Sequence, residues 1–187
     1  MRVKRFRVLL AAAAVPATAA ALMLGTQAAQ ASTSGCTSGA YAGYCGTQVN
    51  NASLGVPALV FNAAGAKAVA NNKVIGWTNS TSNAADDWFQ LPYGGNPASG
   101  VMFVFAPRGV VSGMCAADPG NNKVVLRPCN GSNWQRWVAT STSYTGFYTW
   151  TNRGTHKILQ SNGKGGQLTT VTPRGKFPGN QQWAFTR

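Results

Sequence analysis

The stretch Cys129-Asn-Gly-Ser-Asn-Trp-Gln-Arg-Trp137 ends in Gln135-x-Trp137, and that triplet returns at Gln181-x-Trp183 and, altered, at Asp86-x-Trp88. The tryptophans stand 49 and 46 residues apart, the step of a repeat architecture whose single units cannot bury their own apolar faces. A second marker keeps nearly the same step. Phe61, Phe105 and Trp150 each lie four residues before a glycine (Gly65, Gly109, Gly154), at offsets of 44 and 45. In the last two units the match widens to Phe103-x-Phe105-x-x-Arg108-Gly109 against Tyr148-x-Trp150-x-x-Arg153-Gly154. Two registers with one period predict three units, at about 46–95, 96–143 and 144–187.

Charged residues make up only 10% of the chain and 22 are glycine, a composition that disfavours helices and suits short strands separated by turns. In unit two, Val101–Phe105, Gly113–Ala116, Lys123–Leu126 and Arg136–Val138 read as strands, with Asp118-Pro-Gly-Asn-Asn122 and Asn130-Gly131 as turns. Unit three repeats the plan at Phe147–Trp150, Lys157–Gln160, Gln167–Val171 and Trp183–Thr186. Unit one is expected at Ala58–Phe61, Lys67–Ala70, Val74–Trp77 and Trp88–Leu91. Twelve strands with pseudo-threefold symmetry would place the three repeated aromatics in one shared core.

The first 31 residues read as an export signal: Arg2, Lys4, Arg5 and Arg7 precede an apolar run from Val8 to Leu24, and Ala29-Gln30-Ala31 offers a small-residue cleavage site. That run is 17 residues long and broken by Pro16, short of the roughly 20 needed to cross a bilayer. A secreted, extracellular protein is therefore expected, with no membrane span. The 156 residues after Ala31 suit one domain and carry 12 Lys and Arg against three acids, a net charge of +9. Such charge favours anionic partners, although the basic residues are scattered along the sequence.

An exported chain with four cysteines is expected to form two disulfides, for which three pairings exist. Nearest-neighbour pairing, Cys36 with Cys45 and Cys115 with Cys129, is the simplest, and the first of these would close a segment at 32–45. The cysteine spacings match no zinc pattern and His156 is the lone histidine, so neither a metal nor a cofactor is expected. Catalysis is also poorly provided for. The only acids are Asp86, Asp87 and Asp118, and the first two are adjacent where glycoside hydrolysis requires facing carboxylates. No Gly-x-Ser-x-Gly elbow accompanies His156, so no catalytic residue is assigned.

Three consecutive units closing in Gln-x-Trp, altered to Asp86-x-Trp88 in the first, resemble the ricin B-type β-trefoil, a carbohydrate-binding family, over roughly Gly46 to Arg187. Asn180-Gln181-Gln182-Trp183 matches the family pattern fully, and Cys129-Asn130-Gly131 leading to Gln135-x-Trp137 matches well. The resemblance implies an all-β β-trefoil of three four-stranded repeats and a disulfide between Cys115 and Cys129, on the second and third strands of unit two. It also implies sugar pockets made of an aspartate after the second strand, an aromatic on the third, and an Asn-Gln pair at the closing motif. Fixed donors and acceptors read hydroxyls there while an aromatic plane covers the apolar face of the ring.

No unit keeps that whole set. Unit three has Asn180 and Gln181, with Gln160 in place of the aspartate and no aromatic in Leu168–Val171. Unit one has Trp77 at the aromatic position, Asp86 for the glutamine and Ala70 where the aspartate is expected. Unit two has Ala117 there with Asp118 one position later, Arg127 at the aromatic position, Trp134 for the asparagine, and Gln135. The candidate carbohydrate contacts are thus Gln160, Asn180, Gln181, Trp77, Asp86, Asp118 and Gln135. Trp88, Trp137 and Trp183 are expected in the core, and Gln135 and Gln181 to steady their turns as well as, or instead of, meeting a ligand. Tyr93, Trp134 and Tyr148 join Trp77 as aromatics outside the repeated register.

Three functions fit: a secreted lectin-like protein without catalytic activity, a scaffold binding or inhibiting a protein partner, or a basic cell-wall-associated protein held by anionic polymers. A glycan or cell-wall polysaccharide is the expected partner, and nucleic acid is disfavoured.

Overall fold

Among the described residues twelve short strands form, in three sets of four. The computed structural model describes residues 45–50, 59–78 and 85–186, with side chains at 50, 59–78 and 85–185; the export signal and the Cys36–Cys45 pairing lie outside the described residues. Unit one contains β1 (Cys45–Asn50), β2 (Leu59–Ala63), β3 (Val74–Thr78) and β4 (Trp88–Pro92). Unit two contains β5 (Val101–Phe105), β6 (Met114–Ala117), β7 (Val125–Pro128) and β8 (Trp137–Ser141). Unit three contains β9 (Tyr148–Asn152), β10 (Ile158–Gln160), β11 (Thr169–Val171) and β12 (Trp183–Thr186). Among the described residues no helix is long and apolar enough to cross a membrane.

The pairing gives the architecture. Each first strand pairs with the last strand of its own unit and with the last strand of the unit before: β5 with β8 and β4, β9 with β12 and β8. The cycle closes because β1 pairs with both β4 and β12, the latter in the register Thr47↔Thr186 to Asn50↔Trp183. Six strands thereby make a closed barrel, which leaves no free edge. The second and third strands of each unit form a hairpin, β2–β3, β6–β7 and β10–β11. The three hairpins meet in a ring of backbone hydrogen bonds: the Val74 amide donates to Val124 (3.1 Å), Val124 to Leu168 (2.9 Å) and Leu168 to Val74 (2.8 Å). All three side chains are fully buried, so the symmetry axis runs through an apolar plug. This is a β-trefoil.

The repeated tryptophans do the same work in each unit. Trp88, Trp137 and Trp183 are buried, and each indole N–H donates to a carbonyl of its own second strand: Phe61 (3.2 Å), Ala116 (3.1 Å) and Leu159 (3.4 Å). A buried indole needs such a partner, and the bond locks the closing strand onto the hairpin. The core they share also contains Phe61, Phe103, Phe105 and Trp150. Phe61 packs edge-on against Trp183 and Phe103 at centroid distances of 4.7 and 5.3 Å.

Those tryptophan bonds correct the expected register of unit one. Phe61 is equivalent to Ala116 and Leu159 on second strands, whereas Phe105 and Trp150 belong to first strands. The shared aromatic-x-x-x-glycine spacing is a coincidence of turns: a tight turn carrying a positive-φ residue follows both β2, at Gly65 (φ 62°), and β5, at Arg108 (φ 54°). The true first strand is Cys45–Asn50, and Lys67–Ala70 is an exposed loop with no strand partner. All eight strands expected in units two and three do form, shifted by at most three residues.

The implied disulfide Cys115–Cys129 is present, with a Cα separation of 5.1 Å, and ties β6 to the end of β7. Around it Phe89, Val104 and Ala106 form a second, smaller apolar cluster.

Asp87 makes stability depend on pH. Burial drives its pKa from the ordinary 3.8 up to about 6, against a smaller opposing effect from a backbone hydrogen bond at Gly109. Between those two values the native state holds a proton that the unfolded chain has released, so stability falls as pH rises through that window. Asp87→Asn is expected to stabilise the protein at pH 7 by on the order of 2 kcal/mol, the scale of such a shift after partial solvent screening. The gain should vanish near pH 4. Urea unfolding of both proteins at the two pH values measures it.

Candidate functional site

With the indole bonds fixing equivalence, Asn62, Ala117 and Gln160 occupy one position, directly after the carbonyl each tryptophan contacts. Asp86, Gln135 and Gln181 occupy a second, two residues before each tryptophan. The unit-one residue at the first position is therefore Asn62 rather than Ala70, which lies in the exposed loop.

In unit two the closing glutamine serves the fold. Gln135 is buried; its Oε1 accepts from the Asn130 and Gly131 amides (2.9 and 3.1 Å) and its Nε2 donates to the Pro128 carbonyl (2.7 Å). Both ends of its amide are occupied within one loop. Asp118 is fully buried as well. Its carboxylate accepts from the Gly120 amide (3.0 Å), the Thr155 hydroxyl (2.8 Å) and the Thr170 hydroxyl (2.6 Å). As sugar contacts Gln135 and Asp118 are thus corrected: both side chains are enclosed and held by internal partners. The aromatics of this region also pack against protein. Arg136 lies 3.6 Å above the Tyr93 ring. The half-exposed Trp134 rests on Gly154, where a Cβ would come within 2.2 Å of the indole. Tyr148 is half-buried on barrel strand β9.

Unit one separates its candidates. Asp86 and Asn62 are both buried and joined by a side-chain hydrogen bond. Trp77 is 38% exposed, with the Lys164 ammonium 5.3 Å from its ring centre. Its strand is clamped by the β10–β11 turn, since the Gly76 amide donates to Gly166 and the Gly165 amide to Gly76 (2.9 and 2.7 Å). Gly76 permits that approach, as a Cβ there would sit 2.7 Å from the Gly163 carbonyl oxygen.

Unit three assembles a pocket. Gln181 Nε2 donates to Gln160 Oε1 (2.9 Å), and Gln160 Nε2 to Asn162 Oδ1 (3.2 Å). Asn180 fastens the closing turn to β10: its Nδ2 donates to the Ser161 carbonyl (3.2 Å), and the Ser161 amide donates back to the Asn180 carbonyl (2.8 Å). Gln160 and Gln181 line a cavity of about 550 Å³ together with Thr170, Thr172, Val171 and Pro178. Its rim carries Lys157, Arg174 and Lys176, and Asn122 reaches in from unit two to accept a hydrogen bond from Lys157. The space suits a small saccharide, and its amides and hydroxyls can donate to and accept from sugar hydroxyls. Of the seven candidates, Gln160 and Gln181 face this cavity and Asn180 braces it. Sequence reasoning missed Lys157, Arg174, Lys176 and Asn122. One signal pointed toward the three cations: unit three contains no acidic residue at all.

No protein family pattern matches the chain, and no curated protein matches it. Solved structures do. The designed threefold-symmetric protein ThreeFoil aligns with a TM-score of 0.62 at 17% identity, over 76% of this chain and 98% of that one. The C-terminal half of the earthworm R-type lectin, in complex with GalNAc, aligns at 0.54 and 11%, over 76% and 98%. The exo-β-1,3-galactanase of Clostridium thermocellum aligns at 0.62 and 19%, but this chain spans only 30% of its length. At these identities the likeness is one of fold: the chain is a β-trefoil, as these three structures are over the aligned region.

Proposed function

We propose that this chain is an exported carbohydrate-binding protein without catalytic activity, holding a saccharide in the pocket of its third unit. The observation that carries the reading is the Gln160–Gln181 pair at the wall of that cavity, positioned by the closing turn and the end of β10. Two further observations support it. The earthworm lectin half of the same fold was solved with GalNAc bound, and 98% of its length aligns with this chain, so a trefoil of this size holds a sugar without an attached catalytic domain. All three carboxylate side chains of the sequence are buried, at 3%, 6% and 0% exposure for Asp86, Asp87 and Asp118, which leaves no acidic side chain at the surface for glycosidic bond cleavage.

Gln181→Ala removes the donor that positions Gln160 and one wall of the cavity. Titration of the best ligand from a glycan array is expected to show affinity reduced about tenfold or more, the scale of one lost polar anchor. Circular dichroism melting should stay within a few degrees, because Gln181 is half-exposed. Unchanged affinity in this variant would remove the third-unit pocket from the binding reaction.

A further inference from the structure

We infer that the third-unit pocket selects saccharides carrying an anionic group, a carboxylate or a sulfate, seated against Lys157, Arg174 and Lys176. The inference rests on the proposed role of that pocket in glycan binding and names the class of glycan. Three cationic side chains line one cavity of about 550 Å³, and no acidic side chain lines it. Gln160 and Gln181 are neutral amides bonded to each other, so the wall does not repel an anion. The carboxylate of Asp118 lies beneath Thr170; it is fully buried and already accepts three hydrogen bonds.

The cations are also differently held. Lys157 is half-buried and bonded to Asn122, while Arg174 and Lys176 are exposed on the segment that leads from β11 to the closing turn. Three like charges around one concavity repel, and a bound anion relieves that repulsion while the low-dielectric walls strengthen each contact. Arg174 offers a planar fork suited to a carboxylate or sulfate. The remaining lining, Thr170, Thr172 and the two glutamines, suits hydroxyl groups. No aromatic side chain lines the cavity, so it lacks the stacking surface that single-stranded nucleic acid uses. An acidic sugar satisfies both halves of the site.

The test is isothermal titration of the purified protein with oligogalacturonate, the same oligomer methyl-esterified, a sulfated galactose oligomer, inorganic sulfate and polyphosphate, at low and at moderate salt. The expected result is that the acid binds about tenfold or more tighter than the ester, as a charge-assisted contact predicts. The Arg174→Gln, Lys176→Gln double variant should bring that ratio close to one, whereas Lys67→Gln, on the exposed unit-one loop, should leave it intact. The galacturonate and sulfated arms separate carboxylate from sulfate recognition, and preference for either over the neutral oligomer supports the inference. Equal binding of both anionic oligomers and the ester would overturn it while leaving glycan binding in place. Polyphosphate or inorganic sulfate binding as tightly as the sugar acid would also overturn it, by showing attraction to charge alone. Sugar binding unaffected by Gln181→Ala would instead remove the pocket itself.

Discussion

Phe61→Ala is expected to destabilise the protein by about 4 kcal/mol, within the range for a phenylalanine truncated in a close-packed core. Phe61 is fully buried and its ring meets Trp88, Phe103 and Trp183 at 5.9, 5.3 and 4.7 Å. The equivalent second-strand positions carry Ala116 and Leu159, so the three units fill this position unequally and only unit one places a ring there. Neighbouring strands fixed by the barrel cannot collapse into the space, and the cavity term adds to the lost transfer energy. Phe61→Leu, which copies unit three, should cost less than half as much. Val69→Ala, in the loop first expected as a strand and 55% exposed, should change stability by less than about 0.5 kcal/mol. Urea unfolding of the three variants measures the ranking. A Phe61→Ala loss below that of Val69→Ala would contradict the corrected register of unit one.

Asp118→Ala is expected to cost about 3–5 kcal/mol, because removing this buried carboxylate strands the Gly120 amide and the Thr170 hydroxyl and leaves the Thr155 hydroxyl only a long 3.4 Å bond to Asn152. One oxygen holds its own turn through the Gly120 amide, and the other joins the Thr155 and Thr170 hydroxyls of unit three. The residue is therefore a tie between units two and three, placed behind the wall of the candidate pocket. A double-mutant cycle with Thr170→Val isolates that tie, since coupled residues in one network lose less together than separately. A strictly additive pair, or a single-variant loss below about 1 kcal/mol, would show that Asp118 ties nothing together.

Phe61 and Asp118 mark the limits of what the sequence makes legible. The spacing of Trp88, Trp137 and Trp183 exposes the repeat because all three indoles bond to equivalent carbonyls, so units of similar length bring the tryptophan back at steps of 49 and 46 residues. Phe61 misleads because an aromatic before a glycine turn is a local pattern, available to first and second strands alike. At the site, Gln160, Asn180 and Gln181 were legible since they occupy positions of the repeated tryptophan motif and its partner strand. Asp118 and Gln135 have the chemistry of sugar contacts, but their burial and internal partners depend on tertiary packing that residue type does not encode. Asn122, Lys157, Arg174 and Lys176 are spread over 55 residues and are gathered by the pairing of β10 with β11 and the approach of unit two. Along the sequence the basic residues look like a scattered, solvated surface. The fold concentrates three of them around one cavity.

The most direct measurement is mapping of a bound saccharide by backbone-amide chemical shifts in the isotopically labelled protein, titrated with the strongest array ligand. Binding in the third-unit pocket predicts that the largest shifts fall on residues 157–161 and 169–181, with smaller ones at Asn122, and that shifts around Trp77 and Gln135 stay near zero. Largest shifts at Trp77, or shifts spread evenly over the basic surface, would contradict the assignment of carbohydrate binding to unit three.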